Sequence, residues 1–154
     1  MAGDISSGGE IAWRIKRLGK GDIGAIIDLW NFSGLHIKPG GRDSPENLEK
    51  QMDMPMVSFM GAFEGDRMAG VVLVTHDGRK GWINRIAVHP DSRRKGLGLV
   101  LVKVAERRLV EQGIDIWCAL VEDWNDASMA MLKRAGYTLH DDITYFSRRG
   151  GDNV

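Results

Sequence analysis

From Trp82 to Gly98 the chain reads Trp-Ile-Asn-Arg-Ile-Ala-Val-His-Pro-Asp-Ser-Arg-Arg-Lys-Gly-Leu-Gly, and this stretch leaves few folds open. A buried strand stops at a proline, and a basic loop with glycines follows. Apolar residues then recur at helical spacing at Leu97, Val100, Leu101, Val104 and Ala105. Lys103, Glu106, Arg107 and Glu111 fill the opposite face as far as Gln112, and Gly113 is a helix stop. Ile114 to Val121 is a nearly continuous apolar run, as expected of a strand covered on both faces. A strand–helix–strand unit of this kind requires a right-handed crossover between parallel strands.

The chain before this unit has a different rhythm. Ile11 to Leu18 alternates as a strand, with Trp13 and Ile15 on one face. Gly21-Asp22 opens a helix to about Phe32, in which Ile23, Ile26, Ile27 and Trp30 fall at core spacing. Ser33 to Arg42 is a loop by composition, and Ser44-Pro45 is a helix start with a capping serine and proline at the first position. That helix runs to about Met52. Val57–Phe63, Met68–Thr75 and Gly81–Val88 are three strands joined by short turns, an antiparallel meander. After the crossover, Asn125 caps a helix ending at Arg134, with Gly136 as its stop. Tyr137–His140 and Thr144–Arg148 are expected to close the chain as a hairpin. The fold class is therefore α+β: a mixed, mostly antiparallel sheet of about seven strands with flanking helices and one central crossover. Residues 1–10 and 150–154 are expected to be unordered tails around a single domain, residues 11–149.

Composition narrows the partners. Lys+Arg and Asp+Glu both number 21 in 154 residues, so the formal net charge is zero, against a general nucleic-acid or membrane-surface binder. The basic charge is local instead, at Arg93-Arg94-Lys95, which suits a small anionic ligand. The single cysteine, Cys118, excludes an intrachain disulfide and a cysteine-based zinc site, and nothing else calls for a metal. No apolar run approaches membrane length and no signal peptide is evident, so the expectation is a cytoplasmic protein.

Helix N-termini present unpaired N–H groups and partial positive charge, and glycine lets a ligand approach the backbone, so the Arg93–Gly98 loop is built to hold phosphate. It is not a P-loop, since Gly-Lys-Ser/Thr is missing, nor a dinucleotide fingerprint, since the third glycine is absent.

With Arg93, Gly96 and Gly98 in the spacing Arg-x-x-Gly-x-Gly, the lead-in Ile86-Ala87-Val88-His89-Pro90, and Asn125, Ala130 and Gly136-Tyr137 downstream, the chain resembles the GNAT superfamily of acetyl-CoA-dependent N-acetyltransferases. The resemblance runs from about Ile11 to Arg148. It implies that the backbone of Ile86, Ala87 and Val88 pairs with the pantetheine arm of acetyl-CoA. It also implies that the amides of Arg94, Lys95, Gly96, Leu97 and Gly98 take the pyrophosphate, with Arg93 and its neighbours adding charge and Asn125 near the far end of the cofactor. A homodimer and a small-molecule or peptide amine acceptor are the implied partners.

The chain departs from the family at the catalytic positions. The helix tyrosine that many members use as acid is Leu132 here, and the two usual glutamate-base positions hold Trp82 and Leu120. Glu122, on the face of Leu120 if the strand continues, is the first substitute base, and Tyr137 or Tyr145 a substitute acid. Packing explains Tyr137 equally well. His36 and Arg42, with Asp43, lie in the loop that lines the acceptor side in such families. Three readings follow: acetyl transfer to a primary amine by direct attack, an acyl-CoA-binding regulatory or sensing module that has lost catalysis, or a structural or interaction domain without cofactor.

Overall fold

The computed structural model describes the backbone of residues 2–7 and 11–154, and side chains from Trp13 onward. Six strands and four α-helices follow in chain order: β1 Ala2–Ser7, β2 Ile11–Arg17, α1 Ile23–Phe32, α2 Pro45–Met52, β3 Val57–Glu64, β4 Arg67–His76, β5 Gly81–Val88, α3 Leu97–Glu111, β6 Trp117–Cys118 and α4 Asp126–Arg134. The strands form one sheet in the order β1-β2-β3-β4-β5-β6. All neighbours are antiparallel except β5 and β6.

The helix starts follow the local chemistry. Ser44 is extended and its hydroxyl accepts the Asn47 N–H at 3.2 Å, with Pro45 at the first helical position. The Asn125 side chain accepts the Ser128 N–H at 3.2 Å and so caps α4. Gly113 and Gly136 end α3 and α4 at φ +78° and +96°, values that a side chain would strain.

The sheet is sandwiched. On one face α3 buries Leu97, Leu101, Val104 and Leu109 against Trp13, Ile15, Val72, Val74 and Ile83, with Met131, Leu132 and Tyr137 packed at the margin. On the other, α1 and α2 bury Ile26, Leu29, Trp30 and Leu48 against Phe59, Phe63, Val71 and Ala87. Gly81 makes room for α3: a Cβ there would lie 2.4 Å from Leu109 Cδ1.

Three expectations are corrected. Among the described residues six strands form rather than about seven: the two expected within 137–148 are absent, which leaves five, and β1 adds a sixth. The run Ile114–Val121 pairs only at Trp117–Cys118, and Ile116 and Leu120 are exposed. With so short a β6, nothing offers a template for the closing hairpin. The Gly/Ser-rich start is not wholly a tail, since residues 2–7 pair along β2. At the other end Lys38 Nζ donates to the Asp152 carbonyl at 3.3 Å, so the last residues lie against the loop between α1 and α2.

Candidate active site

The site is built on β5 and on the two places where its regular pairing fails. The first is an irregularity opposite β4: Val71 pairs with Ala87, but Leu73 pairs with Asn84. Arg85 takes up the extra residue in a left-handed conformation, φ +49°. The bulge reverses which residues face which layer. Ile83 before it and Ile86 and Val88 after it all pack toward α3. Trp82 and Asn84 therefore project to the α1–α2 side, by strand alternation. Arg85 goes the same way: its guanidinium lies 4.9 Å from the Trp30 ring centroid and Nη2 donates to Asp43 Oδ2 at 3.2 Å. Burial pushes the Arg85 pKa down, and the Asp43 carboxylate opposes that shift.

The second failure is on the opposite edge. β5 and β6 pair at Gly81↔Trp117 and Trp82↔Cys118 only. Beyond Trp82 the edge of β5 that faces away from β4 is left without a strand, and the backbone there is open to an extended ligand.

The chain then enters the glycine loop. Arg94 and Gly96 are left-handed, at φ +63° and +81°, and Gly96 caps α3 without a side chain. The first-turn N–H groups of α3 point out of the helix beneath the exposed Arg93, Arg94 and Lys95. The close approach at Gly98 has a packing reason too, since a Cβ there would meet Met131 Sδ of α4 at 2.9 Å.

A polar network fixes the base of this loop. Glu64 Oε1 accepts from Trp13 Nε1 and from Ser92 Oγ, each at 3.0 Å. Arg67 Nη2 donates to Glu64 Oε2 at 2.8 Å and to Ser92 Oγ at 2.9 Å, and Arg67 Nη1 reaches Asp91 at 3.1 Å. Ser92 and Trp13 are fully buried. The Glu64 carboxyl is held below its ordinary value, first by the Trp13 bond and then by those from Ser92 and Arg67 and by the Lys95 charge, against the opposing effect of burial.

A cavity of about 370 Å³ opens on the α1–α2 side of β5. Thr75, Trp82 and Asn84 form its floor, and Leu120, Ile143 and Phe146 its walls. Asn84 Nδ2 donates to Thr75 Oγ1 at 3.2 Å across the floor.

The expected site residues divide. Ile86–Val88, Arg93–Gly98 and the cavity residues Trp82 and Leu120 cluster around β5. Asn125 stands at the start of α4, whose Met131 packs on Gly98. Glu122 is exposed and lies outside any strand, so the alternation that aligned it with Leu120 does not operate. Tyr137 Oη donates to Glu106 Oε2 at 2.8 Å. Burial first, then that bond and the negative charge of Glu106, raise its pKa far above the ordinary phenol value. Its proton is committed to a structural bond. Tyr145 lies exposed at the cavity rim. His36 and Arg42 are exposed on the α1–α2 loop, Arg42 Nε 3.9 Å from Asp43.

Glu64, Asn84 and Arg85 are not among the residues that motif and spacing single out; Glu64 falls just after the strand expected at Val57–Phe63. Asn84-Arg85, a polar pair inside an apolar strand, was the available signal for the bulge.

The profile of the acetyltransferase (GNAT) family matches residues 25–137. This chain belongs to that family. It is 28% identical over 127 residues to acetyltransferase ECA0875 of Pectobacterium atrosepticum, covering 82% of this chain and 89% of that protein. In fold it is similar to a Clostridium acetobutylicum predicted acetyltransferase solved with acetyl-CoA, TM-score 0.73 at 14% identity over 88% of this chain and 96% of that one. It is similar also to the aminoglycoside acetyltransferase meta-AAC0020 from an uncultured soil metagenomic sample, solved with sisomicin: TM-score 0.72, 16% identity, 89% and 95% covered.

Proposed function

We propose that this acetyltransferase moves an acetyl group from acetyl-CoA to a primary amine by direct attack. The observation that carries the reading is the open edge of β5, which leads on one side to the N-terminus of α3, where no side chain takes the first N–H groups, and on the other to the Trp82 cavity. When bound, acetyl-CoA supplies a thioester-activated acetyl group. The chain's own contribution is positioning. The backbone of Ile86, Ala87 and Val88 offers strand-like bonds to the pantetheine arm. The amides of Arg94–Gly98, the α3 dipole and the side chains of Arg93, Arg94 and Lys95 hold the pyrophosphate. Asn125 fixes the start of α4 beside that arm. His36 and Arg42 belong to the acceptor side.

In the transfer, the amine nitrogen bonds to the acetyl carbon as the carbon–sulfur bond breaks. One amine proton passes to water, and the thiolate is protonated from solvent. No carboxylate lines the cavity, and Tyr137 is occupied, so the rate rests on orientation and on amine that is already neutral.

Thermal unfolding with added acetyl-CoA tests cofactor binding, because a ligand held only by the folded state must raise stability. Free-thiol release then tests transfer. Glu122→Gln is expected to keep its turnover. A loss of about 10²-fold or more, the range of general-base effects, would return the base role to Glu122. A stabilising shift with no thiol release from any amine would favour the regulatory module.

A further inference from the structure

The cavity over Trp82 is more telling in what it lacks than in what it holds. Among the described residues its lining contains no Asp, Glu, Lys, Arg or His. Its polar groups are the neutral side chains Thr75, Asn84, Thr144 and the Tyr145 hydroxyl, and the first two bond to one another. The remainder is Trp82, Leu120, Ile143 and Phe146. The wall residues are unusually exposed for their size, at 60% for Leu120, 71% for Ile143 and 87% for Phe146. Large apolar side chains gathered open around a concavity mark a surface that a ligand covers.

The volume of about 370 Å³ matches a small molecule rather than a protein side. It opens beside the segment where β5 and β6 part.

We infer that the acceptor is a monoamine with an aromatic or branched apolar body, and that polycationic amines are poor substrates. This rests on the acetyltransferase reading above. A polyamine or an aminoglycoside carries several ammonium groups at neutral pH. Each one laid against these open apolar walls would give up part of its water and meet no charged side chain of the lining in return, a cost that rises with every added charge. A single amine on an apolar body escapes the penalty. Its body covers Trp82, Phe146 and Ile143. Its one ionisable group is shifted toward the neutral, attacking form by the same apolar surroundings. The cavity thus does part of the work that a carboxylate base would otherwise perform.

Free-thiol release from acetyl-CoA with phenethylamine and isoamylamine, compared with spermidine and sisomicin, tests the inference on the full chain. The apolar monoamines are expected to exceed the polycations in kcat/KM by about tenfold or more, within the range that burial of a few methylenes provides. Trp82→Ala is expected to raise KM for phenethylamine. Leu120→Glu also places a carboxylate where the family carries a base, so it is read as a ratio: kcat/KM is expected to shift from phenethylamine toward spermidine. Acetyl-CoA binding, read by thermal unfolding, separates the failures. Preference for spermidine or sisomicin with that binding intact overturns this inference and leaves the acetyltransferase reading in place. Loss of the acetyl-CoA shift itself overturns both.

Discussion

Tyr137 shows how one hydrogen bond decides a residue's role. Its hydroxyl lies 2.8 Å from Glu106, a carboxylate buried on α3 that also takes Lys103 Nζ at 3.3 Å. Tyr137→Phe removes a donor from that carboxylate and is expected to cost about 1.5–3 kcal/mol in urea unfolding, the range for hydrogen bonds to charged groups. Turnover should persist near the wild-type rate. A general acid would instead lose about 10²-fold or more when its hydroxyl is removed. The sequence could place this aromatic beside a helix end, yet it could not show where the hydroxyl points. That direction depends on α3, 31 residues earlier in the chain. Glu64 was hidden for the same reason, because its partner Trp13 lies 51 residues away.

Among the elements, the entry to α3 carries the strongest conformational demand. Gly96 sits at φ +81°, where a Cβ meets the neighbouring carbonyl. Gly96→Ala is expected to destabilise the fold by about 1–2 kcal/mol and to weaken acetyl-CoA binding by more than that strain alone accounts for. Calorimetric titration alongside urea unfolding separates the two effects. Equal loss in both would reduce Gly96 to a turn residue. At this scale the sequence was legible wherever the pattern was local. The Ser44-Pro45 start, the three-strand meander, the period of α3 and the glycine stops all follow from neighbouring residues. It failed at β6 and beyond. Apolar content at Ile116, Leu120, Ile143 and Phe146 reads as buried strand, and these side chains are exposed instead, the last three of them around the cavity. The bulge at Arg85 was equally out of reach, because a reversal of facing depends on register with β4.

For the molecule as a whole, Glu64 couples stability to pH. Its folded-state pKa lies below the ordinary 4.5, chiefly through the bond from Trp13. The unfolded chain therefore binds its proton more readily, and stability rises with pH across this interval. The contribution is complete above the ordinary carboxyl value and is lost as pH falls through the lower, folded value. Glu64→Gln, which cannot titrate, should show a shallower loss of stability below pH ~4.5 than the wild type in urea unfolding followed at stepped pH. Identical slopes would remove Glu64 from the acid response. The network joins β2, β3, β4 and the segment before the glycine loop, so its loss in acid loosens that loop together with the sheet.

The sheet order, β1 through β6 without a transposition, has a consequence for the history of the chain as well as its shape. Each strand pairs with the one made just before it. A ribosome delivering the protein from its N-terminus never has to wait for a distant partner to fill a gap. Only the last, parallel step requires α3 to cross over, and it is there that pairing shrinks to two residues. The part of the sheet delivered last is thus the part whose edge is left unpaired.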